Sequence, residues 1–398
     1  MKIRSITAFI PVTTSDAVRQ AVQDCQQIKA NILEQGWEVQ TLRLATPPFS
    51  TWLPLEKSPS SSILQFEERV LGVGFDYLSV GSLSVDDLPA ARWIPDILSL
   101  TKSTFCTMQL VKDQHTVSNK AIREAAGIIE QNSRSDPLGF TNLRFAALAN
   151  VPNGCPFFPA ASAESDEPAY ALAIEGADLA VDAFCESGTA QEASDKLTTR
   201  ITSIAKQLES ICSSIVGDRF SGIDFTLAPF PDQLRSIGTA LEHLGLSAFG
   251  QHGSLAASAL LMSILDQCKF KKIGFNGLML PVLEDSTLAQ RNIEGYLSIS
   301  QLLLYSTVCG TGLDCIPLPG DVQKPVLEAI LLDLAVLSCR LQKPLTARLM
   351  PVPGKKVGEM TSYEFDYFAN SRIMDPRGQG VDGILAKSQE FSVFPRHQ

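Results

Sequence analysis

The sequence is short of charge and of aromatic side chains. Of its 398 residues, 19% are charged and 7% are aromatic, whereas 45% are hydrophobic. Disordered, collagen-like and coiled-coil proteins have other compositions, so these classes are excluded. A chain of this length buries roughly three quarters of its unfolded surface, so its core needs no disulfide or structural metal. We expect a compact globular protein.

Basic residues are outnumbered and dispersed. The chain has 33 lysines and arginines against 43 acidic residues, a formal net charge of −10. Nucleic acid and anionic membranes attract clustered positive charge, so we expect the protein to bind neither. The expected partners are a small-molecule ligand and further copies of the chain, because the low charge density leaves apolar surface for a homo-oligomer.

Paired cysteines and long apolar runs are also missing. The nine cysteines are odd in number, form no CxxC pair and lie mostly in apolar runs, where a reduced thiol acts as a small core residue. The apolar N-terminal stretch is too short for a signal-peptide core. The longest strongly apolar stretch, residues 255–265, is well below the ~18 residues of a membrane span. We therefore predict a cytoplasmic protein.

What the sequence does have is an alternation of strand and helix patterns from end to end. Apolar alternation predicts strands such as 3–9 and 222–227, and helical periodicity predicts a long helix over 190–216. This order is typical of a parallel α/β architecture, here with about ten strands. Because no low-complexity linker divides the chain, we predict one domain over 1–374 and an irregular C-terminal tail over 375–398.

Two acidic residues interrupt apolar strands. Asp224 lies in the segment GIDFTLAP and Asp314 in GLDCIPLP. An ionised carboxylate there costs several kcal/mol unless it is paired or solvated. We predict both as catalytic residues that face an internal cavity. The alternative is a structural role, in which the amides of a neighbouring loop donate hydrogen bonds to the carboxylate.

A second pair of acids precedes a predicted helix. Glu284 and Asp285 are followed by Thr287-Leu288-Ala289-Gln290, which matches a capping box with Thr287 as N-cap. Both acids then lie in the turn after a strand, where binding groups of parallel α/β folds gather. We predict Glu284 as catalytic and Asp285 as a metal ligand; alternatively, Asp285 is itself the cap.

His252 occupies a glycine-bounded turn, GQHGS, before a predicted helix. A histidine there can approach a ligand closely and titrates near neutral pH. We predict it as catalytic, with Gly253 in contact with substrate. A loop histidine bonded to the backbone is the alternative.

Three loops supply the remaining candidates. The proline-rich loop NVPNGCPFFP contains Asn150 and Asn153, which we predict to bind substrate unless this loop is a buried hydrophobic plug. Cys309 and Gly310 lie in CGTG, a weak likeness to a phosphate-binding loop, and are also predicted to bind substrate. Asp321, an acid able to cap the next helix, is a second candidate metal ligand.

The motifs occur in a characteristic order: RFAALAN (144–150) with PF (156–157), DFTLAP (224–229), GQHG (250–253), LPVLED (280–285), and CGTGLD (309–314) with PGD (319–321). Together they resemble the DUF711 family, also called UPF0210 or PFL-like, over the chain up to about Met374. The resemblance implies a ten-stranded α/β barrel similar in fold to pyruvate formate-lyase and anaerobic ribonucleotide reductase. The activity of the family is not established.

Glycyl-radical chemistry, which that fold invites, finds no support in the residues. Radical members carry an Arg-Val-x-Gly-Tyr-like motif near the C-terminus, whereas this tail reads DPRGQGV from Asp375 and has no such tyrosine.

Two functions follow from these candidates. In the first, Asp224, His252, Glu284, Asp285 and Asp314 form an acid/base or divalent-metal cluster, with Mg²⁺ or Ca²⁺ as the metals suited to oxygen ligands. The protein would then be an enzyme acting on a small polar metabolite, by hydrolase, lyase or isomerase chemistry. In the second, the same groups only bind the metabolite and the protein is a sensor.

Overall fold

The computed structural model describes residues 1–55, 58–164 and 166–395. Within these ranges the strands are β1 (Lys2–Phe9), β2 (Val39–Ala45), β3 (Tyr77–Leu83), β4 (Thr104–Gln109), β5 (Thr116–Ser118), β6 (Phe145–Ala149), β7 (Ala169–Glu175), β8 (Phe220–Ala228), β9 (Gly312–Pro319), β10 (Leu345–Val352) and β11 (Glu390–Ser392). The helices are α1 (Ser15–Glu34), α2 (Pro59–Gly72), α3 (Leu88–Ala91), α4 (Ile94–Leu100), α5 (Asn119–Ser133), α6 (Ala177–Cys185), α7 (Ala190–Val216), α8 (Ile237–His243), α9 (Ser254–Gln267), α10 (Ser286–Ile293), α11 (Ile299–Tyr305), α12 (Lys324–Leu341) and α13 (Gly383–Lys387).

Nine strands form one sheet in the order β8-β7-β1-β2-β3-β4-β6-β10-β9. The five central strands are mutually parallel, whereas β7 and β10 run antiparallel to β1 and β6. The sheet is therefore mixed rather than parallel throughout, because the chain leaves β6 by a loop and not by a crossover helix. The predicted α/β class is confirmed. Strand pairing ends at β8 and β9, so the sheet is not closed and a ten-stranded barrel is not confirmed.

Helices cover the outer face of the sheet. The helix α1 begins at Thr14, whose side chain accepts a hydrogen bond from the amide of Ala17, and its apolar residues recur every three or four positions. The buried apolar positions are Val18, Ala21, Val22, Cys25, Ile28 and Ile32. The longest helix, α7, is capped in the same way by Thr189 and spans the residues predicted for it.

A loop covers most of the inner face. Residues 150–164, the plug loop, run from β6 across the neighbouring strands. Ser79 donates a hydrogen bond of 2.6 Å to the carbonyl of Ala161, and the amide of Ala163 donates one of 3.0 Å to the carbonyl of Thr46. Phe158 is buried with its ring centre 5.3 Å from that of Phe105. Residues 155–163 of the loop are buried against the inner face, which fits the plug alternative, whereas Asn153 at the start of the loop is exposed.

A second irregular segment, residues 271–283, touches both edges of the sheet. The amide of Ile273 donates to the carbonyl of Ile223 in β8, at 3.2 Å. The amide of Val282 donates to the carbonyl of Asp314 in β9, also at 3.2 Å. This segment leads directly into Glu284 and Asp285, so it fixes where those acids lie.

The last described segment of the chain packs against β5 and the start of α5. In residues 375–395, α13 is followed by β11, which pairs with β5. The last three residues of the predicted tail, 396–398, lie outside the described residues. Among the helices of the described ranges, none has the length and hydrophobicity needed to cross a membrane.

Candidate functional site

A pocket lies on the inner face where the parallel strands begin. Its volume of about 80 Å³ is several times the ~15 Å³ that one water requires, so a compact polar group of a few atoms fits. Arg4, Arg43 and Arg348 line it, facing the carboxylate of Glu284. Its aromatic walls are Tyr77, Phe105, Phe158, Phe365 and Tyr367.

Arg43 is the least compensated of these arginines. Its neighbours Leu42 and Leu44 pack into the outer core, so strand alternation directs Arg43 to the inner face. The side chain is only 8% exposed, and its Nε donates to the Thr41 hydroxyl at 2.9 Å. Its guanidinium carbon lies 5.5 Å from the ring centre of Tyr77 and 5.1 Å from that of Phe158.

No carboxylate of the described residues pairs with Arg43. Burial, together with the positive charge of Arg4, lowers the pKa of Arg43 to about 9. The guanidinium is thus still protonated at neutral pH. A buried cation between two aromatic rings, without a counter-ion, is a site where an anion would be stabilised.

Arg4 lies beside it with unused donor capacity. One of its nitrogens, Nη2, donates to Glu284 at 3.1 Å. The other, Nη1, is 3.6 Å from an oxygen of Glu175 and is buried without a hydrogen bond among the described residues. Two neighbouring guanidinium groups therefore have donors to offer.

Arg348, by contrast, pairs with two carboxylates. Its Nη2 donates to Glu284 at 2.9 Å and to Asp314 at 2.8 Å, and its Nε donates to the second oxygen of Asp314. Burial opposes ionisation of Glu284, but the charges of Arg348 and Arg4 outweigh it and lower the pKa of that carboxyl. Glu284 is therefore held ionised, which suits it to fix the arginines in place.

Cys315 completes the cluster behind the pocket. Its thiol donates to Glu284 with an S···O distance of 3.2 Å, and burial raises the pKa of the thiol well above its usual range. Glu284, Asp314 and Cys315 have ligand atoms close enough to hold a metal. Arg348 already contacts both carboxylates, however, so Mg²⁺ or Ca²⁺ would have to displace it.

Asp224 lies elsewhere and has a full set of hydrogen-bond donors. It accepts from the amide and hydroxyl of Thr226, at 3.0 and 2.5 Å, and from the amides of Phe275 and Asn276, at 2.9 and 3.0 Å. Burial raises its pKa even though these donors oppose the shift. The contacts fit the structural alternative, in which Asp224 holds the turn around residue 275.

Asp285 binds the N-termini of two helices. It is the N-cap of α10, accepting from the amides of Thr287 and Leu288 at 3.0 and 2.9 Å. It also accepts from the amides of Ile237 and Gly238 at the start of α8, and from the Ser236 hydroxyl. The cap predicted at Thr287 is therefore wrong, and Asp285 faces helix amides rather than the pocket.

The other candidates lie outside the arginine pocket. His252 is exposed in the turn before α9, and Gly253, with φ +102°, is the N-cap of that helix. Asp321 is exposed in the turn between β9 and α12. The five predicted cluster residues are thus divided: Glu284 and Asp314 meet through Arg348, while Asp224, Asp285 and His252 lie apart.

The predicted substrate-binding residues are divided as well. Cys309 is buried, and its carbonyl accepts a hydrogen bond from Lys343. Gly310 packs so closely on Gly277 that a Cβ on either would overlap the other's Cα. Asn150 and Asn153 line a separate, wider cleft at the opposite end of the inner face.

Comparison with known proteins agrees with the resemblance drawn from the motifs. The model of a family described as "Uncharacterised ACR (DUF711)" matches residues 1–366. The chain belongs to the DUF711 family. A UPF0210 protein of Acetivibrio thermocellus is 27% identical over 91% of this chain and 88% of its own length. One from Pyrobaculum aerophilum is 28% identical over 90% and 87%, respectively.

In this DUF711 chain, Glu284 was singled out from the sequence, but the three arginines of the pocket were not. Arg4, Arg43 and Arg348 each lie inside a strand, in KIRSITAF, VQTLRLA and LTARLMPV. The same argument that singled out Asp224 and Asp314 applies to buried cations. Searching the strands for arginines as well as acids would have found them.

Proposed function

We propose that this protein binds a small organic anion, a carboxylate or a phosphate, in the arginine pocket. The observation that carries the proposal is Arg43, a buried guanidinium with no carboxylate partner among the described residues. Such a charge costs several kcal/mol to bury. An anion that bridges Arg43 and the Nη1 of Arg4, which makes no hydrogen bond among the described residues, would compensate it. Guanidinium groups bind both anion types with paired hydrogen bonds.

The pairing of the charges supports the same class of ligand. Arg348 pairs with Glu284 and Asp314, and Arg4 pairs with Glu284 and lies 3.6 Å from Glu175. Arg43, by contrast, has no carboxylate within ion-pair distance among the described residues. The half-buried rings of Phe365 and Tyr367 at the wall suit the organic part of the ligand.

Binding fits the geometry better than catalysis does. Glu284 is held ionised by two arginines and Cys315 is held protonated by burial, so neither is tuned for proton transfer near neutral pH. An acid/base enzyme is the second candidate, favoured by the 3.2 Å contact between the thiol of Cys315 and the carboxylate of Glu284.

We also propose that residues 271–283 take the place of a tenth strand, so that the inner face becomes the inside of a barrel.

Thermal shift with acetate and with inorganic phosphate tests the binding proposal. Arg43→Met should abolish the stabilisation by either probe, which in the wild type follows RT ln(1 + [L]/Kd). The matched control is Arg92→Met, which removes an exposed arginine stacked 5.1 Å from the ring centre of Trp93. Equal stabilisation of the Arg43 variant and the control would contradict the proposal. NMR of a bound organic anion over time then separates a binder from an enzyme.

We also propose that the protein is cytoplasmic and forms a homo-oligomer. All nine cysteines are free thiols, eight of them buried, which supports a reducing compartment such as the cytoplasm. The homo-oligomer stays a prediction, and light scattering of the purified protein tests it.

A further inference from the structure

A second cavity lies at the other end of the inner face. It is a cleft of about 760 Å³ outside the carboxyl ends of β2, β3, β4 and β6. Open α/β sheets bind ligands in this position, and ligand pockets are commonly about 300–1,000 Å³. The plug loop separates the two cavities, contributing Phe158 to the arginine pocket and Asn153 to the cleft.

The charged side chains of the cleft are mostly matched within the protein. Lys112 pairs with Asp86 at 3.5 Å, and Lys343 donates to the carbonyl of Cys309. Asp113 accepts a hydrogen bond of 3.0 Å from the amide of Thr116. The remaining charge, Glu164, is exposed. Lys343 has no carboxylate partner among the described residues, but it is half-buried, so the cleft holds no fully buried, unpaired cation like Arg43.

The buried polar atoms of the cleft that lack a hydrogen-bond partner belong to neutral side chains. The hydroxyl of Ser82 and the Oε1 atom of Gln109 are buried without a hydrogen-bond partner among the described residues. Gln109 is held in place because its Nε2 donates to the carbonyl of Val151 at 2.9 Å, which leaves Oε1 as a fixed acceptor. A buried polar group without a partner costs about 1–3 kcal/mol. A ligand or a water that donates a hydrogen bond to these atoms would remove that cost.

The wall beside them is built from constrained backbone. Gln114, Asn150 and Gln342 have φ angles of +43°, +54° and +51°. The side chains of Asn150 and Gln342 both donate to the carbonyl of Gln114, at 3.4 and 3.0 Å. Left-handed backbone is uncommon outside glycine and concentrates at binding sites.

We propose that this cleft is a second ligand site, specific for a neutral molecule rich in hydroxyl groups, of the size of a monosaccharide. Hydroxyls donate to Gln109 Oε1 and exchange hydrogen bonds with Ser82, and they need no counter-charge. No aromatic ring lines the cleft within the described ranges, so a nucleobase would find no stacking partner.

Saturation-transfer NMR with D-glucose as the probe tests this proposal. We expect transfer to the glucose protons in the wild type and in Gln191→Leu, a control in which an exposed glutamine of α7 is replaced. Gln109→Leu should weaken binding about three- to tenfold, as expected for one neutral hydrogen bond, and Ser82→Ala by a similar factor.

Folding and specificity have their own checks. Near-UV circular dichroism establishes whether each variant is folded. If Gln109→Leu does not fold, the affinity of Ser82→Ala for glucose tests the site instead. Absence of transfer to glucose in the wild type would overturn the ligand class. Unchanged affinity in the folded variants would overturn the site. Arg43→Met should leave glucose binding intact, so failure of the anion proposal would be seen separately.

Discussion

Replacing Arg348 and Arg43 by methionine should change stability by very different amounts, although both arginines are buried in the same pocket. We expect Arg348→Met to lower the free energy of unfolding by about 3–5 kcal/mol, the usual cost of removing one partner of a buried ion pair. We expect Arg43→Met to change it by less than about 2 kcal/mol.

The difference follows from what each guanidinium touches. Without Arg348, Asp314 loses the guanidinium that pairs with both its oxygens, and Glu284 loses one of its two arginine partners. Both carboxylates would remain in the interior, where Asp314 is fully buried. Glu284 keeps Arg4, which should prevent a still larger loss.

Removing Arg43 takes away favourable contacts and a burial penalty together. The hydrogen bond to Thr41 is worth about 1.5–3 kcal/mol and each ring contact about 0.5–2 kcal/mol. Against these stands the several kcal/mol needed to desolvate an unpaired cation. Methionine keeps the apolar contact with the rings of Tyr77 and Phe158.

Urea unfolding in a buffer without carboxylate or phosphate measures both effects, because bound anion would stabilise the wild type alone. Comparable m values show that the midpoints report stability. If Arg43→Met destabilised the protein as much as Arg348→Met, Arg43 would be a compensated structural residue, and the reasoning behind the anion site would be refuted.

Four further outcomes are expected. Asp285→Ala should lower stability by about 3 kcal/mol or more in urea unfolding, because two helix N-termini lose their acceptor. Asp224→Ala should speed hydrogen exchange of the Phe275 amide, read by mass spectrometry, while protection of distant helices is retained. Folding lowers the pKa of Glu284, so its ionisation stabilises the protein above the unfolded pKa of about 4.3. This stabilisation is lost as the pH falls through the lower pKa of the folded state. The stability difference between wild type and Glu284→Gln should therefore shrink at that acidic pH. His252→Ala should change stability by less than about 0.5 kcal/mol, since the side chain is exposed, and a larger loss would reveal a structural contact.

Local pattern was sufficient for much of the secondary structure. The helix predicted over residues 190–216 is the helix observed, because its apolar period and the Thr189 cap are both read within one stretch of chain. The apolar strand around Asp314 was predicted for the same reason. Its acid indeed required a partner, although the sequence could not say that the partner is Arg348.

The pocket itself depends on strand order, which local pattern does not encode. Arg4, Arg43 and Arg348 come from β1, β2 and β10, and only the assembled sheet and its covering loops bring them to one cavity. The choice of cap before α10 is also a tertiary matter. Asp285 was selected over Thr287 because the start of α8 places further amide donors around it.

The plug loop also has a consequence for how the chain folds. It leads from β6 towards β7, which lie on opposite sides of β1 to β4. The chain after β6 therefore supplies the strands on both sides of the five central strands. Phe9 pairs with Ala169 and Ala149 with Leu345, contacts between distant positions that make folding slow. Until they form, residues 1–149 would expose two strand edges and a bare inner face. A fragment of residues 1–149, expressed alone, should therefore aggregate.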